Sequence, residues 1–168
     1  MRINIHFELD EACELWAKKV NKELSSLTVN EIDFSTGKIK PHITLVMGEI
    51  EEKDFSKVES IVNTFQSKTL KETVSFGQPY MVGPYIFVAT KDSTSFKDDC
   101  DEMLEQLGKL ITPHKHLIST GNPPHITLGY VNDANKVDSL ISTFSAPKTR
   151  LIKLSVSKTG KHGTVICE

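Results

Sequence analysis

The sequence predicts an α+β fold: a bilobal, duplicated arrangement in which two mainly antiparallel sheets with flanking helices face a central cleft. Three observations carry that expectation. Short runs alternate apolar with polar residues, the period of half-buried strands, and between them lie segments with the three- and four-residue apolar spacing of amphipathic helices. The pentapeptide Pro-His-Ile-Thr-Leu occurs twice, at 41–45 and 124–128, each copy followed by a helical pattern. His42 and His125 stand 83 residues apart, a period too long for a solenoid and close to half of a 168-residue chain.

Each element follows from its pattern. Ile3, Ile5, Phe7 and Leu9 alternate with Asn4, His6 and Glu8, which predicts a strand over 2–9. Asp10 is placed to cap a helix whose apolar positions would be Ala12, Leu15, Trp16, Val20 and Leu24. Gly37 punctuates the chain before PHITLVMGEI, a strand whose alternation sends His42, Thr44 and Val46 to one face and Ile43, Leu45 and Met47 to the other. A helix at 54–66 would bury Phe55, Val58, Ile61, Val62 and Phe65. Strands at 70–77 and 84–90 would pair across GQPYMVGP. A charged helix at 94–111 would bury Phe96, Met103, Leu104, Leu107 and Leu110. The second motif strand is followed by a helix carrying Val137, Leu140, Ile141 and Phe144, and closing strands at 149–157 and 163–167 turn through TGKHG. In a duplicated fold GPYIFVAT of the second lobe corresponds to MRINIHFEL of the first. One domain, 1–168, built of two pseudo-symmetric lobes is the expected organisation.

Composition narrows the functional classes. Twenty Lys and Arg against 22 Asp and Glu leave a net charge of -2, which excludes the uniformly basic surface of a protein that coats duplex nucleic acid. A small anionic substrate remains compatible, since one local pocket of positive groups holds a phosphate whatever the global sum. The three cysteines have no CxxC spacing, so neither a disulfide framework nor a cysteine-rich zinc site is expected, and a reducing cytoplasm is the natural compartment. Neither a secretory signal nor a membrane span is expected, nor any cofactor; a monomer is anticipated.

The chemistry is carried by the repeated His-x-Thr. Strand periodicity sends His and Thr to one face of each copy while Ile and Leu enter the core. Packing explains Ile43, Leu45, Ile126 and Leu128, but gives no reason for polar residues opposite them. If the two faces meet, the cleft holds two imidazoles and two hydroxyls. With an unperturbed pKa of about 6.5, one neutral and one protonated imidazole coexist near neutrality. Such a pair suits in-line displacement at a phosphodiester: one ring takes a proton from water or a ribose hydroxyl, and the other protonates the leaving oxygen. Thr44 and Thr127 would hydrogen-bond the non-bridging oxygens. That scheme calls for no metal.

Two His-x-Thr motifs, each on a strand in a chain of this size, resemble the 2H phosphoesterase superfamily, which includes the 2'-5' RNA ligases and RNA 2',3'-cyclic phosphodiesterases. The resemblance implies a bilobal α+β fold with metal-independent chemistry in the inter-lobe cleft. It also implies His42 and His125 as the acid–base pair and Thr44 and Thr127 as phosphate ligands. The sequence departs from many members after each motif, where Val46, Met47 and Gly48 follow the first and Gly129 and Tyr130 the second. The reaction implied is cleavage of a 2',3'-cyclic phosphate at an RNA or oligonucleotide end, or of a cyclic nucleotide. The alternatives are a 2',5'-phosphodiesterase acting on oligoadenylates and a module that binds RNA ends without turnover.

Further candidates lie on neighbouring strands. His6 faces the side of the motif residues and is a candidate for contacting substrate; Tyr85, or Phe87 next to it, is a candidate for stacking on a base, and Tyr130 for lining the same cleft. Lys153 belongs to a run with Lys148, Arg150, Lys158 and Lys161 that holds no acidic residue and could draw in an RNA terminus. Ser155 with Lys158 matches S-x-x-K without its partner motifs, and His114 with His116 forms an H-x-H without carboxylates or thiols to complete a metal site.

Overall fold

The computed structural model describes residues 1–91, 94–114 and 123–167. Its centre is one antiparallel sheet that joins two three-stranded halves. β1 (Arg2–Glu8) lies between β10 (Leu154–Lys158) and β3 (His42–Glu49); β6 (Tyr85–Ala89) lies between β8 (His125–Tyr130) and β5 (Tyr80–Val82). β3 and β8 are neighbours, so the two motif strands form the seam, and β7 (Thr112–Pro113) adds a short pairing to β3. Two-stranded ribbons complete the fold: β2 (Ile39–Lys40) with β11 (Val165–Ile166), and β4 (Thr73–Val74) with β9 (Thr149–Arg150). The α+β class with mainly antiparallel pairing is therefore as expected.

The apolar face is covered by helices α1 (Glu11–Leu27), α2 (Phe55–Thr64) and α3 (Thr94–Leu107), which pack on β8, β10 and β3 respectively. Ile3, Ile5, Phe7, Ile43, Leu45, Val46, Ile86, Val88, Ile126 and Leu128 are fully buried there, each contributing about 1.5–3 kcal/mol of transfer free energy. Phe7 meets Phe96 of α3 edge to face at 5.4 Å. Asp10 caps α1 by accepting from the Cys13 amide at 2.9 Å, and its other carboxylate oxygen accepts from the Arg150 amide. Asp99, fully buried on α3, accepts from the Ser67 hydroxyl and from the amides of Lys68 and Thr69, pinning the turn that follows α2. Among the described residues no helix is long and apolar enough to cross a membrane.

Four local expectations are corrected. The stripe of α1 is Cys13, Ala17, Val20, Asn21 and Leu24, while Leu15 points outward and Ala12 is exposed. Asn21 enters the core because its amide donates to the carbonyls of Ile32 and Leu128, both at 2.8 Å, and accepts from the Phe34 amide; a hydrophobicity pattern cannot register a polar residue whose bonds are all made inside. Val46 lies on the core face beside Leu45, because a bulge interrupts the alternation. The hairpin runs from β5 to β6 through Gly83, at φ 56°, and Pro84, whereas β4 pairs with β9 and only single bonds from 75–77 reach the far end of β6. The helix after the second motif shrinks to α4 (Asp138–Ile141), although Val137 and Ile141 are buried.

Candidate active site

The two motifs meet at one backbone pair. Ile43 faces Ile126 across the antiparallel β3–β8 seam, a register that sets His42 across from Thr127 and Thr44 across from His125. All four side chains are half-buried on the face opposite the isoleucines and leucines of the motifs, which are wholly enclosed.

Both flanking strands repeat the same irregular register. β1 pairs Ile5 with Val46 and His6 with Thr44, skipping Leu45; β6 pairs Ile86 with Gly129 and Phe87 with Thr127, skipping Leu128. The bulge turns two successive residues toward the core and returns the next to the motif face, which is how Tyr130 comes to stand with His125 and Thr127. By this register Asn4, His6 and Glu8 of the first half occupy the positions of Tyr85, Phe87 and Ala89 in the second.

Each motif imidazole is tethered in the same way. His42 Nδ1 lies 3.0 Å from the Lys40 carbonyl and His125 Nδ1 3.0 Å from the Pro123 carbonyl. A carbonyl only accepts, so Nδ1 carries the hydrogen and Nε2 is the nitrogen left for chemistry. Desolvation lowers both rings from their ordinary value, His42 to about 3; the charges of His6, His125 and Lys40 add to the effect on His42, while the tethering carbonyls of Lys40 and Pro123 oppose it at their respective rings.

The surroundings of the two rings differ. Behind His42, Asn4 Nδ2 donates to Thr44 Oγ1 at 2.9 Å and to the Gly163 carbonyl at 3.2 Å, and lies 3.3 Å from His42 Nε2. Glu8, across from His42, is ringed by Ser155 Oγ at 2.6 Å, Lys40 at 3.1 Å and Lys153 at 3.6 Å. Its partial burial alone would raise the carboxyl, but hydrogen bonds from Ser155 and Lys40 and the charges of both lysines hold it below its usual value. On the other side the ring of Phe87 lies 4.1 Å from that of His125. Tyr85 stacks on Phe87 and meets Tyr130 edge-on at 4.8 Å, and Tyr130 stacks on His162 at 3.8 Å. His162 adopts φ 58° and reaches Glu31, which also pairs with Lys161.

Of the residues singled out from sequence, His42, Thr44, His125 and Thr127 come together, Tyr85 and Tyr130 join the His125 side, and Lys153 stands at the His42 side. His6 is corrected. It has no exposed surface from which to touch substrate; its ring lies edge-on to His42 at 5.3 Å, with Nδ1 bound to the Asn4 carbonyl. Ser155 is engaged with Glu8, and His116 of the H-x-H lies outside the described residues. Among the described residues no group of three or more His, Cys, Asp or Glu is gathered to hold a metal ion. Asn4, Glu31 and His162 were not given roles by sequence reading. Asn4 shares the motif face by simple alternation, but nothing local marks Glu31 and His162 as partners 131 residues apart.

The family described as the 2'-5' RNA ligase superfamily matches residues 16–158. The chain belongs to this superfamily. Membership of the 2'-5' RNA ligase superfamily supports phosphodiester chemistry of the 2H type. A solved structure, the crystal structure of the MHV ns2 PDE domain, superposes with a TM-score of 0.64 at 16% identity, covering 95% of this chain and 99% of that one. That likeness shows that the two share a fold. No curated protein matches the sequence. β1, with Asn4 and His6, precedes the span that matches the superfamily.

Proposed function

We propose that this superfamily member is a metal-independent phosphodiesterase that opens a 2',3'-cyclic phosphate at an RNA or oligonucleotide end, or in a cyclic nucleotide, within one domain made of two related lobes. The observation that carries the reading is the seam register, which sets the histidine of each motif across from the threonine of the other. A phosphate centred there has an imidazole on each side and a hydroxyl beside each imidazole. One imidazole takes the proton of the attacking water as the new oxygen–phosphorus bond forms, and the other gives a proton to the ribose oxygen as its bond to phosphorus breaks. The threonine hydroxyls donate to the non-bridging oxygens, where charge builds. Tyr85 and Tyr130 line the nucleoside side, and Lys153 with Lys40 draws the anion to the His42 side.

The test is a panel of 2',3'-cyclic nucleotides and of 2'-5' and 3'-5' oligonucleotides, assayed with and without EDTA, with each product assigned as a 2'- or 3'-phosphate. Opening of the cyclic substrates with EDTA present supports the reading. Shortening of 2'-5' oligoadenylates alone replaces it with a 2',5'-phosphodiesterase, and binding of cyclic-phosphate ends without product replaces it with a binding module.

A further inference from the structure

The two motifs match residue for residue, yet what stands behind them does not. His42 is backed by an amide and a second imidazole, His125 by aromatic rings, and these are register-equivalent positions: Asn4 against Tyr85, His6 against Phe87. We propose that His42 enters the reaction neutral and acts as the base, that His125 enters protonated and acts as the acid, and that Asn4 and His6 are the positioning residues that fix this division. The inference rests on the phosphodiesterase reading above and assigns the two roles within it.

Four features of the His42 side disfavour a proton there. Asn4 Nδ2, whose two hydrogens serve Thr44 Oγ1 and the Gly163 carbonyl, lies 3.3 Å from Nε2 and offers it no acceptor, so an N–H on Nε2 would find no partner there. His6 is fully buried 5.3 Å away, and its Nε2, like Asn4 Oδ1, has no hydrogen-bond partner among the described residues. A ring enclosed in this way stays neutral, and burial pushes His6 down to about 4. The charged groups facing His42 are Glu8 of β1, Lys40 of β2 and Lys153 ahead of β10, two cations on one carboxylate. Finally, His125 across the seam lowers His42 further when charged, so the pair takes its first proton on one ring only.

The coupling between the two rings is mutual, but the His125 side lacks the other three features. Ala89 stands where Glu8 would be and Pro123 where Lys40 would be, and the titratable groups on neighbouring strands are the phenols Tyr85 and Tyr130, with His162 beyond. The face of Phe87 at 4.1 Å favours an imidazolium over a neutral ring. A bound phosphodiester anion between the rings raises both together and leaves their order unchanged. In the step itself, the nucleophile's proton passes to His42 Nε2 as its oxygen bonds phosphorus, and the proton on His125 Nε2 passes to the departing oxygen. Exchange with solvent then returns the rings to their starting states.

Two measurements test the assignment, one of them independent of turnover. In the first, ¹⁵N-labelled protein is titrated from pH 4 to 8 while the histidine ring nitrogens are followed by NMR, with resonances assigned through His42→Gln, His125→Gln and His6→Gln. The expected result is that His125 titrates at higher pH than His42, that His42 stays an Nδ1–H neutral ring to below pH 5, and that Asn4→Ser or His6→Gln raises the His42 midpoint by at least one pH unit while moving His125 less. A His42 midpoint at or above that of His125 in the wild-type protein overturns the proposal, as does a His42 midpoint indifferent to both variants; the wild-type comparison stands even if a variant fails to fold. In the second, bis(p-nitrophenyl) phosphate, which has no neighbouring hydroxyl and so must be attacked by water, supplies a leaving group that needs no proton. The loss caused by His125→Ala shrinks at least 10-fold relative to a 2',3'-cyclic nucleotide, and the loss caused by His42→Ala does not; the opposite pattern reverses the roles. Absence of turnover on every substrate counts against the phosphodiesterase reading and leaves the NMR comparison to judge this one.

Discussion

His6 stands edge-on to His42, with 5.3 Å between ring centroids and 70° between planes, and neither it nor the adjoining Asn4 side chain reaches solvent. A buried polar cluster directly behind a motif residue is an arrangement the core could have replaced with apolar side chains, as it does in the other half with Phe87. Its presence on one side only makes the two chemically identical motifs unequal.

The four motif side chains should separate cleanly by assay. His42→Ala and His125→Ala are each expected to lower kcat by about 10²–10⁴-fold. Thr44→Ala and Thr127→Ala are each expected to lower it by about 10²–10³-fold, because each removes one donor to developing charge. All four positions are half-buried at the surface of the sheet, so far-UV circular dichroism should be unchanged; retained turnover in the double histidine variant on a 2',3'-cyclic substrate would refute the site.

Stability should depend on pH through the buried imidazoles. His6 and His42 are held at about 4 and about 3 in the folded chain, so below pH 6.5 the unfolded chain binds more protons. Their contribution is fully present above pH 6.5 and is lost as pH falls toward those values. For His6 the interval corresponds to on the order of 3 kcal/mol. Urea denaturation at pH 7, 6, 5 and 4 should show the decline, and His6→Gln should flatten it; a slope unchanged by that variant would count against burial of a neutral ring.

Gly48 marks a close approach. A Cβ there would meet the Thr112 carbonyl oxygen at 2.5 Å and the Ile111 side chain at 2.8 Å, and the carbonyl belongs to the β7 backbone that pairs with β3. Gly48→Ala is expected to destabilise the protein by about 1–3 kcal/mol, read as a lower urea midpoint with an unchanged m-value.

His162 combines a left-handed backbone at φ 58° with a ring held by Tyr130 and Glu31. His162→Ala keeps the strain and loses both contacts, whereas His162→Gly loses the contacts and removes the strain. The glycine variant should therefore be more stable than the alanine variant by about 1 kcal/mol. Equal stabilities would show that the backbone at this position relaxes once the ring is gone.

Burying Asn21 ties α1 to the second motif strand through the Leu128 carbonyl. Asn21→Ala leaves three backbone groups, those of Ile32, Phe34 and Leu128, without their partner, for an expected loss of about 2–4 kcal/mol. Asn21→Leu should do no better, since volume alone does not satisfy them.

The sequence made the class and the heart of the site readable because both are written in periodicity: His-x-Thr twice, with Ile and Leu interleaved, places polar and apolar faces without any long-range information. The correspondence of GPYIFVAT with MRINIHFEL was legible for the same reason and reappears as matching register. What periodicity could not reach was where alternation breaks. The skipped Leu45 and Leu128 redirect Val46 inward and Tyr130 outward, and a bulge is fixed by the partner strand rather than by the strand's own residues. The pairing of β4 with β9 and the Glu31–His162 contact join segments far apart in the chain, and Asn21 and His6 are polar residues whose burial depends on partners that no local window contains.

The Ile43–Ile126 pair has a consequence for how the chemistry can be divided. Each half-sheet carries one motif imidazole and one motif hydroxyl, and among the described residues β3 and β8 register through Ile43 and Ile126, two residues with no exposed surface. A chain severed between β4 and β5 would leave both fragments chemically mute, each holding one end of a proton relay with no other end. Activity regained on mixing such fragments would then report that β10 has rejoined β1 and β8 has rejoined β3, making turnover itself an assay for the rejoining of a sheet.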